Sequence, residues 1–331
     1  MRKTITALIV IVYAFLPLRV VAADNDLPGI DDFIDEMTVQ HGFDKNELNQ
    51  LFTEIEVKEN ILRVISRPAE KSKPWYEYRR IFLTPEHIQG GVSFWELNQH
   101  SLARAQEVFG VAPEVIVAIL GVETRYGRHT GRYRVIDSLA TLAFRYPPRS
   151  RFFRQQLVEF LLLTREENRD PRHFTGSYAG AMGLAQFMPD SFRDYAVDFD
   201  QDGWRDIWEN PEDAVGSIAN FLKRKGGWQA KAPVVSAAAA NGVDYRHWLQ
   251  QGLKPSIPLR QLRQEGIEVA EPIPEDELVS LFQLEQEKGP ELWVGFHNFY
   301  AIIRYNPSPL YAMAVYQLAE AIKAQREGGS S

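Results

Sequence analysis

PEVIVAILGVETRYG, residues 113–127, holds eight consecutive apolar or small residues, Val115 to Val122, and closes on Glu123. Pro113 suits the first position of a helix, where its missing N–H costs nothing and its fixed φ is already helical. A helix apolar on every side must be buried, so this one predicts a core helix with neighbours all round it. Those neighbours are legible outward along the chain. Upstream, Ile30 to Arg67 spaces Phe33, Met37, Leu48, Leu51, Phe52 and Ile55 at helical intervals, and Phe94 to Phe109 is amphipathic. Between them, residues 68–92, beginning PAEKSKPWYEYRR, read as an extended wrap over the surface. Downstream, Arg134 to Phe144 and Ser150 to Arg165 continue the helical pattern, split by Pro147 and Pro148. Beyond Gly226, the segments Ala232–Ala240, Leu278–Gln286 and Leu292–Phe296 read as partly extended, before a last helix from Pro309 to Ala324. The expectation is a mainly α, α+β protein with a minor β-sheet.

The chain has 331 residues, 45% hydrophobic and 24% charged, enough to bury a substantial core. Arg2 and Lys3, an apolar run from Ile5 to Leu18, and small residues through Ala22 and Ala23 read as a signal peptide over residues 1–23. That run is shorter than the ~20 residues of a membrane span, so no stable anchor is expected. The absence of cysteine excludes disulfides, a thiol nucleophile, zinc–thiolate ligation and a lipidated N-terminal cysteine. Export without disulfides or a lipid suits a soluble periplasmic protein. Loss of residues 1–23 leaves 34 basic against 44 acidic residues, a formal charge of −10, which makes nucleic acid an unsuitable partner. Nineteen Phe, thirteen Tyr and seven Trp are compatible with a sugar-binding cleft, since flat apolar faces stack on pyranose rings, but also with plain core packing.

Three segments carry candidate chemistry. Glu123, closing an apolar helix, would be partly desolvated; burial raises a carboxyl pKa and keeps a proton available near neutral pH. The alternative is a structural cap or ion-pair partner. SYAGAMGLAQFMPDSF, residues 177–192, sets Ser177 and Gln186 among small residues, where both side chains could hydrogen-bond the acetamido group of a sugar. Tight helix packing would explain its glycines and alanines equally well. DFDQDGWRDIWE, residues 198–209, fits a calcium loop: carboxylates at Asp198, Asp200 and Asp202, the Trp204 carbonyl, Gly203 at the sharp turn and Glu209 at the end. A solvated acidic turn is the alternative.

These motifs, with KPWYEYRRIFLTP at 73–85 and RYNPSPLYAMAVYQLAEAI at 304–322, resemble in identity and order the family-B lytic murein transglycosylases. The resemblance implies a lysozyme-like catalytic core with additional helices, a minor sheet and an EF-hand-like metal loop. It divides the mature chain, 24–331, into an N-terminal helical layer and wrap (24–92), a catalytic core (93–192), the metal loop and helix (193–225) and a mixed α/β portion completing the groove (226–331). It implies cleavage of the β-1,4 bond between N-acetylmuramic acid and N-acetylglucosamine without water, leaving 1,6-anhydromuramoyl ends, with Glu123 as acid and then base. Ser177 and Gln186 would orient the substrate, Tyr305 and Asn306 would stabilise the transition state or the muramoyl ring, and Tyr78, Arg149 and Tyr311 would line the groove. PPRS at 147–150 departs from the family's Pro-Arg-Arg order. For the metal the resemblance favours Asp213 over Glu209 as closing ligand; the ion, calcium or sodium, would be structural, with no organic cofactor. The partners implied are peptidoglycan strands and other cell-wall enzymes, for a monomer. Two rival readings remain: a hydrolytic muramidase with Asp190 or Asp194 as second carboxylate, and a non-catalytic peptidoglycan-binding protein.

Overall fold

A computed structural model describes residues 26–66 and 73–328. The signal-peptide reading of residues 1–23 lies outside them.

The apolar spacing near the N-terminus resolves into three helices, α1 (Ile30–His41), α2 (Lys45–Thr53) and α3 (Glu59–Ile65). Asp44 caps α2 by accepting from the Asn46 and Glu47 N–H groups. The expected extended wrap is instead largely helical where described: α4 (Trp75–Tyr78), a 3₁₀ turn at Arg79–Ile81, then α5 (Pro85–Leu97). Its prolines precede or open helices rather than prevent them, with Pro85 at the start of α5 under the Thr84 hydroxyl, which accepts from the His87 N–H. The amphipathic run 94–109 is also two helices, because α5 ends at Asn98 and α6 (Gln99–Phe109) begins anew.

The decisive stretch forms α7 (Pro113–Thr124), with Pro113 at its first turn and Val115 to Gly121 all buried. It packs against α5, α6, α11 (Pro211–Arg224) and α15 (Pro309–Gly328). Around this core lie α8 (Val135–Arg145), α9 (Ser150–Glu166) and α10 (Pro189–Tyr195), while a two-stranded ribbon pairs β1 (Tyr133–Arg134) with β2 (Thr175–Gly176). One continuous hydrophobic cluster runs from Leu27 to Ile322.

The extended segments beyond Gly226 build a five-stranded antiparallel sheet, ordered β4-β6-β7-β3-β5. Its strands are β3 (Val235–Ala239), β4 (Ile257–Pro258), β5 (Glu268–Val269), β6 (Leu278–Gln286) and β7 (Gly289–Gly295). A tight hairpin joins β6 to β7 in the register Phe282↔Trp293. One face of the sheet packs with the short helices α12 (Arg246–Leu249) and α13 (Leu259–Gln264) on a second cluster that includes Trp248, Leu262, Val279 and Val294. The chain then returns through α14 (His297–Tyr305) to α15, which lies along α5 and α7. Among the described residues no single helix is long and apolar enough to cross a membrane.

Candidate active site

Glu123 occupies the last turn of α7, and the backbone beyond it is strained. Arg125 and Tyr126 both adopt left-handed conformations, φ 50° and 60°, and their N–H groups close the helix onto the Gly121 and Leu120 carbonyls. Glycine is the usual residue there; each side chain in that region costs on the order of 1 kcal/mol. Surrounding contacts hold the turn. The Thr124 hydroxyl lies 3.2 Å from the Leu120 carbonyl and 3.3 Å from the Leu184 carbonyl, and accepts from the Gly127 N–H. The Tyr126 hydroxyl donates to the His87 carbonyl at 2.8 Å, while His87 Nε2 lies 2.9 Å from the Gly121 carbonyl. Burial holds the His87 pKa down, and because a carbonyl oxygen can only accept, Nε2–H is the donor of that bond.

The Glu123 carboxyl is largely desolvated. Burial raises its pKa to about 7, and the opposing influence is the Tyr311 hydroxyl, which donates to Glu123 Oε1 at 2.6 Å and favours the ionised form. Tyr311 is itself buried, near the start of α15, and its ring stacks parallel to that of Tyr305 at 6.5 Å. The Tyr305 hydroxyl donates to the Ala185 carbonyl, tying the end of α14 to the 177–188 segment. Tyr78 completes the group, its ring 5.4 Å from Phe82. Burial and the Glu123 charge together raise the hydroxyl pKa of Tyr78, Tyr305 and Tyr311. Among the described residues no other carboxylate perturbs Glu123.

Residues 177–188 are not a packed helix but a chain of tight turns. The Ser177 hydroxyl accepts from the Ala179 and Ala181 N–H groups, and Met182 and Phe187 exchange backbone hydrogen bonds. Gly183, at φ +65°, lies so close to the Ile207 carbonyl that a Cβ would sit 2.4 Å from its oxygen. Gln186 also has positive φ, 48°, and its amide nitrogen donates to the Thr130 and Gly183 carbonyls at 3.1 and 2.8 Å. Its Oε1 therefore remains as an acceptor. Asn306 follows Tyr305 at the end of α14, partly exposed, its backbone N–H bonded to the Ile302 carbonyl. Arg149 is exposed, with its guanidinium over the Phe152 and Phe153 rings at 4.2 and 5.2 Å.

The acidic loop brings three of its six expected ligand residues into one carboxylate group: oxygens of Asp198, Asp200 and Asp202 lie within 4.8 Å of one another. Asp213 is buried at the start of α11, where its oxygens accept from the Phe199, Asp200 and Asp206 N–H groups. Burial, helped by the charge of Asp200, lifts its pKa to about 6 against those hydrogen bonds. Glu209 is exposed and outside the carboxylate group. Clustered carboxylates beside the Trp204 backbone offer the oxygen donors that a hard cation takes.

Sequence reasoning overlooked Thr124, His87 and Tyr126. The pair Gly90–Gly91 inside a helical stretch was a signal for them, because Gly90, Gly91 and Gly121 line the space that the Tyr126 ring fills.

One buried carboxyl at the end of a core helix, faced by tyrosines and flanked by a loop of half-buried hydrogen-bonding groups, sits on a mainly helical frame. The chain belongs to the transglycosylase SLT domain family, whose model matches residues 26–320. It is 42% identical over 308 residues to membrane-bound lytic murein transglycosylase B of Escherichia coli K12, covering 90% of this chain and 84% of that one. Among solved structures, soluble lytic transglycosylase SltB1 from Pseudomonas aeruginosa superposes with a TM-score of 0.85 at 49% identity, over 91% of this chain and all of that one. Escherichia coli lytic transglycosylase Slt35 in complex with calcium gives 0.82 at 41% identity, over 91% and 94% of the two chains.

Proposed function

We propose that this chain is a lytic transglycosylase acting on peptidoglycan outside the cytoplasm, as an exported periplasmic protein, and that Glu123 is its catalytic acid and base. The observation that carries the reading is a single carboxyl with its pKa raised to about 7, hydrogen-bonded to Tyr311 and with no carboxylate partner among the described residues. Glycosidases that use two carboxylates set them ~5–9.5 Å apart, to place a nucleophile or a water. With one, the substrate must supply its own nucleophile.

Protonated Glu123 gives its proton to the glycosidic oxygen as the bond from that oxygen to the muramoyl anomeric carbon breaks. The carboxylate then takes the proton of the muramoyl 6-hydroxyl as that oxygen bonds to the anomeric carbon, and the 1,6-anhydro ring closes without consuming water. Tyr311 steadies the carboxylate in the second step. Gln186 Oε1 and the Ser177 hydroxyl orient the acetamido group, whose oxygen can shield the positive anomeric carbon. Tyr78, Tyr305 and Asn306 line the muramoyl site, and Arg149 meets carboxylates further out.

Asp198, Asp200, Asp202 and the Trp204 carbonyl, closed by Asp213 or Glu209, would hold a structural calcium or sodium ion that neutralises the clustered charge. The relative solved with calcium supports that reading. The whole of 24–331 acts as one catalytic region.

Mass spectrometry of digested cell-wall sacculi tests the proposal. Expected are fragments one water lighter than hydrated muropeptides, and none from the Glu123→Gln protein. Fully hydrated reducing ends would instead mean a hydrolytic muramidase, and digestion surviving Glu123→Gln would remove Glu123 from its role.

A further inference from the structure

Between the end of α9 and the 198–209 loop the chain builds an aromatic wall. Phe174 is buried in the main core and meets the Trp208 ring edge-on at 4.8 Å, and Trp208 in turn packs on Phe192 at 5.4 Å. The Trp208 Nε1–H donates to the Thr175 carbonyl at 3.1 Å, which fixes the indole. Trp204 and Trp208 both stay half-buried. They line a depression of about 290 Å³ together with Arg169, His173 and Glu209. That volume lies near the lower end of the ~300–1,000 Å³ typical of small-molecule sites, the scale of a single sugar ring.

The fold employs the neighbouring charges but leaves three side chains here uncommitted. Arg165 donates to the His41 carbonyl, Arg172 pairs with Glu54 and Asp170, and Arg205 pairs with Glu167. Asp206 Oδ1 accepts from the Trp208 and Glu209 N–H groups. Among the described residues the Arg169 guanidinium, the His173 ring and the Glu209 carboxylate make neither a hydrogen bond nor an ion pair, and all three residues are exposed. Arg169 sits over the Trp204 ring, 3.4 Å from its centroid.

Such a set narrows the ligand. An anion would face Glu209, Asp170 and Asp206, a cation would face Arg169, and a wholly apolar group would strand all of them. A pyranose suits each part: its C–H face lies against the indoles, while its hydroxyls accept from Arg169 and His173 and donate to Glu209. We propose that this depression is a second saccharide site, taking one pyranose unit of an uncharged glycan, apart from the Glu123 cluster. It shares no side chain with that cluster, although Thr175 stands two residues before Ser177. This goes beyond the reading of Glu123 and stands without it.

Fluorine NMR of protein labelled with fluorotryptophan reads the site directly, with the signals assigned by Trp204→Phe and Trp208→Phe. The probe is the β-1,4-linked trimer of N-acetylglucosamine. Trp75, whose ring lies 6.4 Å from that of Tyr78, reports the catalytic groove. The Trp204 and Trp208 signals should move with a Kd of about 1 mM. Arg169→Ala with His173→Ala should weaken that response about tenfold and leave the response of Trp75 unchanged. Both substituted side chains are exposed, so the fold should be kept. No shift at either indole up to about 10 mM trimer, or a shift that survives the alanine pair, overturns the proposal. So does a shift that glycine or sulfate reproduces, which would make this a site for a zwitterion or an anion. Loss of the Trp75 response together with the other two would mean one continuous groove, and overturns it as well.

Discussion

Burial lifts the Glu123 pKa from 4.5 to about 7, and the same burial makes its ionisation a cost to the fold. Between those values the native state holds a proton that the unfolded chain has released. The folded state is thus favoured most below about 4.5 and loses that advantage as pH rises to 7 and beyond. Glu123→Gln should therefore be more stable than wild type at pH 8, by on the order of 3 kcal/mol, and equal to it near pH 4; urea denaturation at the two pH values reads the difference. Tyr311→Phe acts in the opposite sense on titration. Its hydroxyl favours the ionised carboxyl, so removing it should move the alkaline limb of the pH–rate profile upward while lowering kcat/KM about tenfold at pH 6. An unchanged limb would mean that the hydrogen bond is not made in the working enzyme. The sequence revealed Glu123 because an acid ending an apolar helix is a local pattern. The family motif placed Tyr311 only in the groove; its pairing with Glu123 was not legible, since 188 residues separate the two and no periodicity spans that distance.

The turn ending α7 depends on how closely α5 approaches it. A Cβ at Gly121 would lie 2.6 Å from the Tyr126 hydroxyl. Gly121→Ala gains ~1 kcal/mol of helix propensity. Overpacking costs ~1–3 kcal/mol. The net expectation is a modest loss of stability, with a larger loss of activity because Tyr126 must leave the His87 carbonyl and take the end of α7 with it; denaturant midpoint and kcat measured together check this. Helices with clear apolar spacing, such as α7 and α9, were readable directly. The 74–92 region was not, because proline marks both helix starts and extended chain, and only the Thr84 cap and the seat on α15 decide between them. The small residues of 177–188 suited either a packed helix or a sugar-contacting surface; their tight turns, with Gly183 against the Ile207 carbonyl, were not legible.

The acidic loop links α10 to α11 at one side of the main core. If it holds an ion as proposed, adding a chelator should lower Tm by about 5 °C at a calcium concentration ~100-fold above its Kd, restored by calcium in a thermal scan. No change would leave the loop a solvated turn. The calcium-loop pattern was plain in the sequence, but the hydrogen bonds that tie Asp213, in the following helix, to the loop backbone appear only in three dimensions. The site as a whole shares this dispersal, with Tyr78 before the core, Glu123 and Gln186 within it, and Tyr305 and Tyr311 near the C-terminus. That arrangement sets an order in time. Synthesis delivers the proton-bearing helix early and its hydroxyl partner last, so a nascent, truncated or nicked chain lacking α15 carries the acid without the group that tunes it. If Glu123 is the acid proposed above, its pKa takes its working value only when the final helix settles against α7.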